Sequence, residues 1–433
     1  MNGLDVSAPP LAAARSRTLA FPIFAFLGIA VVLYAVVWQS FQHLPAHDVA
    51  AEQCGLPAEL VAKGFCGRTA TKHFDDVLAG WLYDDTGWYT SIVVNGYSDK
   101  QVRAFKEGRQ SSVAFFPSHP LLARQLNRVL DDPALALVIT TFCAGLAVSV
   151  LFWIWCRGRL SERERRIALF LMLLYPYGWY LYGTGYADAV FIASTIAAFV
   201  LLERDHPIGA GIAGIVATAA RPTGIAVAVG LVAVVLERRG ALVGPAAITR
   251  AALREWPGAL RERLRTARQR VRPKDAGVLL SLAGIVTWCT YLYRRTGDAF
   301  AFATVQAAWH QPSGPRTWLK INFFRQVWEV PGFSLRLVAQ LVVAVVFVSL
   351  LPTVLRRFGV GYAVLSLVLI VIPLVGSGDF QGTGRYLMAA FPIFAAAATV
   401  VTERDLMRKL VLGGSAVSLV VLTSLFATGT YLA

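Results

Sequence analysis

"TLAFPIFAFLGIAVVLYAVVWQSF", Thr18–Phe41, decides the fold. Its 24 residues include no Asp, Glu, Lys or Arg. A helix of that length extends about 36 Å, enough to cross a hydrocarbon core of about 30 Å. No small-residue cleavage site accompanies it and further apolar runs follow, so it reads as a retained span rather than a cleaved leader. Runs of the same kind recur as far as Leu410–Leu432. The whole chain agrees: of 433 residues, 56% are hydrophobic and 15% charged, and mean hydropathy is +0.56. That is the profile of a membrane protein.

The expected fold is all-α, a polytopic transmembrane helix bundle of about eleven crossings. The candidate spans are 18–40, 133–156, 167–183, 187–202, 208–220, 224–236, 276–293, 334–351, 359–375, 385–401 and 410–432. Residues 1–17 read as a cytoplasmic tail and 18–433 as a single transmembrane domain. With the tail inside, alternation leaves two long loops outside, 43–132 and 294–332, and a basic loop, 237–275, inside. The inside segments then hold more than half of the 41 Lys and Arg, as the positive-inside rule requires. This arrangement needs Ile208–Leu236 to break at "ARPTG", Ala220–Gly224. Pro222 and Gly224 suit a break, and Arg221 is left near the membrane, where it needs a partner.

The formal net charge of +15 is therefore a topology signal. Basic residues 238–274 carry no aromatic platform beyond Trp256, which argues against nucleic acid as a partner. Cys143, Cys156 and Cys289 fall in or beside apolar runs and read as packing residues. Cys54 and Cys66 share the first outside loop, where an oxidising compartment would allow a disulfide. No zinc-type Cys/His spacing occurs.

That first loop is too long for a plain connector. It contains "YDDTGWYTSIVVNGY", Tyr83–Tyr97, and "VAFFPSHPLL", Val113–Leu122. Trp81, Trp88 and Tyr89 fit an aromatic belt at the membrane boundary. A carboxylate placed among them loses water, gains pKa and can take a proton from a hydroxyl. Asp85 could equally hold a divalent metal or a structural ion pair.

These stretches resemble the signature of the GPI mannosyltransferase II (PIG-V) family and its bacterial relatives: Trp-Asp-x-x-x-Tyr, a Gly-Tyr, then Phe-Phe-Pro-x-x-Pro. The resemblance continues through "YPYGWYLYGTGYADAVFIASTIAAF" (Tyr175–Phe199), "ATAARPTGIAV" (Ala217–Val227), "GDAFAFATVQAAWHQ" (Gly297–Gln311) and "GTGRYLMAAFPIF" (Gly382–Phe394). The order matches from about Leu82 to Phe394. There are departures: Asp84 stands where the family has Trp, Ala187–Asp188 where it has Ser-Glu, and Ala299 where it has Pro.

The resemblance implies a GT-C membrane glycosyltransferase. Such an enzyme moves a sugar, typically mannose, from a polyprenyl phosphate to a glycolipid or glycan acceptor on the non-cytoplasmic face, with inversion. It also implies amphipathic helices of the first loop lying along the membrane. Asp85 becomes the general base, with Asp84 the alternative. Arg385 and Arg221 become the donor-phosphate ligands, since a guanidinium fork can hold two phosphate oxygens. Asp188, Trp88, Tyr89, Gln306 and Trp309 become substrate contacts. No cofactor is fixed, although a divalent metal is compatible. His119 reads as a solvated loop residue. The Arg- and Ala-rich composition points to a bacterial plasma membrane. The rival reading is a secondary transporter or lipid-linked-sugar flippase, which needs ionisable groups at the midplane of several spans.

Overall fold

The computed structural model describes residues 13–44, 69, 71–242, 270–309, 311, 314–329, 331–430 and 432. The expected Cys54–Cys66 disulfide and most of the basic 237–275 loop lie outside the described residues. Among those residues the chain is helical, and its one β-type contact is an isolated bridge between Arg157 and Leu160. It is a helical membrane bundle. Five helices are long and apolar enough to cross a membrane alone: Leu19–His43, Pro133–Cys156, Pro273–Thr296, Leu335–Phe358 and Asp405–Ala427. Shorter apolar helices, Pro207–Thr218, Val360–Gly376 and Pro392–Val401, pack among them.

Local sequence explains the boundaries. Asp132 caps the Pro133–Cys156 helix by accepting from Leu135 N (3.1 Å), and Pro133 occupies the first turn, where no N–H partner is needed. Ser161 and Glu164 form a capping box at the start of Glu162–Leu173. The break expected at Arg221 is present. One helix ends at Thr218, Arg221 is extended, a short 3-10 turn covers Pro222–Gly224, and the next helix begins at Ile225.

Two expected spans need correction. The 167–183 segment is helical only to Leu173. Pro176 bars the residue before it from helical geometry, and the chain turns through a 3-10 segment at Gly178–Leu181. The 385–401 segment is two pieces, Thr383–Leu387 and Pro392–Val401, parted before Pro392. The 43–132 loop does carry short helices, Asp85–Asn95, Asp99–Lys106 and Ser118–Leu130.

The core is aromatic. Trp155 packs edge-on against Tyr362 and Phe391 and donates its indole N–H to Tyr362 Oη (2.8 Å). The Asp188–Glu203 helix lies against both Pro133–Cys156 and Pro207–Thr218. Ala13–His43 packs along Asp405–Ala427, with Ser40 and Ser424 sharing a hydrogen bond of 2.7 Å. The outer surface is apolar, with Phe24 at 71% and Leu335 at 74% exposure. In water such a surface would aggregate; in a bilayer it is the lipid-facing side.

Candidate active site

Four charged side chains from distant parts of the sequence meet at one place. Asp85 opens the Asp85–Asn95 helix and Asp188 opens Asp188–Glu203. Arg221 sits in the extended break, and Arg385 in the short Thr383–Leu387 helix. Arg385 Nη1 lies 3.4 Å from Asp85 Oδ2, and Arg385 Nε lies 4.0 Å from Asp188 Oδ1. Arg221 Nη2 donates to Asp188 Oδ2. Asp188 thus joins two guanidinium groups, and the helix N-terminus behind it adds partial positive charge.

The approach of the first loop to the Tyr182–Asp188 turn depends on a glycine. A Cβ on Gly185 would lie 2.6 Å from Thr86 Cγ2. Thr86 is itself fully buried next to Asp85. We expect Gly185→Val to push the loop off the turn and cut activity about tenfold or more, by the sensitivity of catalysis to ångström-scale misplacement. The comparison is turnover of the variant against wild type at matched folded protein.

Burial differs sharply among the four. The Asp188 side chain is 3% exposed and that of Arg385 6%, whereas Asp85 keeps 27%. Protein crowds the Asp85 carboxyl on most sides, yet one side stays open. Burial pushes its pKa above the ordinary carboxylate value, and Arg385 and then Arg221 pull part of the way back. Asp84 is pushed up to about 7, first by burial and then by the Asp85 charge. Its backbone is also in the left-handed region, with φ 52°, a conformation costing about 1–3 kcal/mol for a residue other than glycine.

A cage of tyrosines surrounds the charges. The Arg385 guanidinium lies 5.2 Å from the ring centres of both Tyr180 and Tyr186, and 4.9 Å from that of Tyr386. Arg221 lies 4.8 Å from the Tyr386 ring. Tyr186 Oη accepts from Asp85 N (3.1 Å) and so fixes the start of that helix. The sequence reading passed over these three tyrosines. Their signal was the Arg-Tyr adjacency at Arg385–Tyr386 and the density of Tyr before Asp188.

The buried Nε atoms of the two arginines make no hydrogen bond, although Arg385 Nε faces Asp188 Oδ1 at 4.0 Å.

The other candidates divide. Trp88 stacks on Phe115 (5.7 Å) and meets Trp309 edge-on (5.9 Å), so both tryptophans form part of one wall. Tyr89 is buried edge-on against His119 at 5.2 Å. Gln306 donates to the Phe302 carbonyl of its own segment (3.2 Å) and makes no bond to the four charges. Trp81, expected in a boundary belt, is instead fully buried beside Tyr34. The ring of Trp81 fills the space left by Gly183, which has no side chain. His119, expected in solvent, has no exposure, and burial holds its pKa down to about 3. Among the described residues no group of three or more His, Cys, Asp or Glu is placed to hold a metal ion.

No family model matches the chain, and no curated protein matches it. Two solved structures are similar in shape. One is ArnT from Cupriavidus metallidurans bound to undecaprenyl phosphate, 13% identical with a TM-score of 0.44, covering 95% of this chain and 76% of that one. The other is the Archaeoglobus fulgidus oligosaccharyltransferase tethered to an acceptor peptide, 12% identical with a TM-score of 0.41. That match covers 94% of this chain and 55% of that one, so this chain spans about half its length.

Proposed function

We propose that this protein is a GT-C membrane glycosyltransferase. It moves a sugar, mannose by the motif resemblance, from a polyprenyl phosphate to a hydroxyl of a glycolipid or glycan on the outer face of a bacterial plasma membrane. The observation that carries the reading is the pairing of a partly open carboxylate, Asp85, with the buried Arg385 and with Arg221, which Asp188 ties to the same cluster.

Asp85 takes the proton of the acceptor hydroxyl as its oxygen forms a bond to sugar C1. The C1–O bond to phosphate breaks on the opposite face, and the lipid phosphate leaves with the bonding pair. Attack from the far side inverts the anomeric centre. Arg385 and Arg221 stabilise the charge that grows on the leaving phosphate. A preorganised, desolvated guanidinium suits this task because it needs no reorientation during reaction. Asp188 holds both arginines in place, and the partly exposed Trp309, with the buried Trp88 packed behind it, offers apolar surface for a sugar ring.

The direct test is transfer of radiolabel from polyprenyl-phosphate mannose to lipid acceptors in membranes containing the wild-type protein. Labelled glycolipid that depends on the protein supports the reading. No transfer from this donor or from other polyprenyl-linked sugars would overturn it.

The carboxylates also set the expected pH behaviour. Asp85 must be ionised to accept a proton, and burial raises its pKa. We therefore expect kcat/KM to climb with pH on a limb above the normal carboxylate range. Stability runs the other way. In the fold Asp84 keeps its proton up to about 7, whereas the ordinary value is 3.8. The folded state then binds more protons than the unfolded chain across that window, and stability falls as pH rises through it. Thermal unfolding in detergent across the same window, alongside the rate profile, checks both signs.

A further inference from the structure

The Ile321–Glu329 helix, "INFFRQVWE", is turned inside out by the standards of a protein in water. Its exposed positions are Ile321, Phe324, Arg325 and Trp328, the i, i+3, i+4, i+7 spacing of one helical face. Three of those four are large and apolar, and Trp328 is 86% exposed. Trp318 and Leu319, just upstream, extend the same apolar exposure. Two of its polar residues, Asn322 and Gln326, point inward. Gln326 Oε1 is buried without a partner, and the Asn322 amide lies beside Gly378. Phe323 is the buried aromatic, packed edge-on against Phe380 at 5.0 Å.

We propose that this helix lies flat in the headgroup–acyl boundary of the bilayer, with its Ile321–Phe324–Trp328 stripe as the lipid-docking surface. Continuity with the bundle's lipid-facing side selects lipid over a protein partner. The next helix begins at Pro331 and is one of the long apolar ones. Its exposed Leu335, Val338, Val342 and Val345 carry the apolar surface on into the membrane. A helix joined to the end of such a span is held at interface depth. A tryptophan at the rim of an apolar face suits that depth, where the indole meets acyl chain and headgroup.

The docked helix also bears on the active site. Lys320 Nζ donates to the carbonyls of Leu374 and Ser377 and lies 4.9 Å from the Phe380 ring. Gln311 accepts from Gly378 N (2.8 Å) and donates to Asp379 (3.3 Å). The segment thus grips the loop that leads into Arg385.

The test compares wild type with the Trp318→Phe/Trp328→Phe double variant in liposomes, and does not depend on the transfer reaction. Lipids brominated near the top of the acyl chain should quench the emission of these two tryptophans roughly twofold or more, and lipids brominated near the chain end less, as interfacial depth requires. Aqueous iodide should leave their emission nearly unchanged. Strong iodide quenching with no response to either brominated lipid would overturn the proposal. So would insensitivity to all three quenchers, which would mean a protein partner covers the stripe.

Discussion

Asp85→Asn is expected to lower sugar transfer by about a hundredfold or more, with the protein still folded. The amide has nearly the shape of the carboxylate and can still accept from Arg385 Nη1, which lies 3.4 Å from Asp85 Oδ2. It cannot take a proton. The neighbouring Asp84→Asn variant separates the two acids. Asparagine matches aspartate in size and backbone at position 84 (φ 52°), and it fixes in the neutral form a side chain that keeps its proton up to about 7. We expect Asp84→Asn to retain most of the activity. Transfer from labelled polyprenyl-phosphate mannose at matched protein levels decides between them. A dead Asp84→Asn beside an active Asp85→Asn would move the base one residue. Two active variants would remove the carboxylate from the chemistry.

Arg385→Met should have an effect as large, with two separable parts. Asp188 is 3% exposed and Arg385 6%. Removing one partner from a buried ion cluster costs about 3–5 kcal/mol of stability, because the remaining charge is left without compensation. Thermal unfolding in detergent reads that loss. Arg385→Lys separates catalysis from folding. Lysine restores the charge but supplies one ammonium where the guanidinium offers a planar fork. The Lys variant should recover most of the stability yet stay about a hundredfold slow, the usual effect of removing one donor from developing charge. Full recovery of activity in Arg385→Lys would mean that the arginine is structural.

Much of this bundle was legible because apolar runs are a strong signal. Thr18–Phe41 and the 133–156 and 410–432 segments needed only length and the absence of charge. The break at Arg221 was legible too, since an arginine beside Pro222 in an apolar run demands both a bend and a partner. The 167–183 and 385–401 segments failed for a common reason. Their residues are apolar enough to pass as spans, but they fill the interior around the site as turns and short helices. Tyr180 and Tyr182 have no exposure at all. Hydropathy cannot tell a residue buried in protein from one buried in lipid. The motif residues Asp85, Asp188, Arg221 and Arg385 could be nominated from resemblance. Their mutual contact could not, because 300 positions separate Asp85 from Arg385. Gln306 and Trp309 were nominated alike, and only Trp309 reaches the wall that Trp88 forms.

That separation along the chain has a consequence for biosynthesis. Asp188 and Arg221 are 33 positions apart, so their ion pair can close while the ribosome is still at work. Asp85 waits 300 positions for Arg385, roughly 15–60 s at ordinary translation rates. The first helix waits longer still for the Asp405–Ala427 helix it packs against. During that interval an unpaired aspartate and an uncovered helix face stay available to insertion factors and quality-control proteases. Arg385, made long after Asp85, is therefore the residue that completes the charge cluster, and a chain stalled before it leaves the membrane holding a half-built bundle.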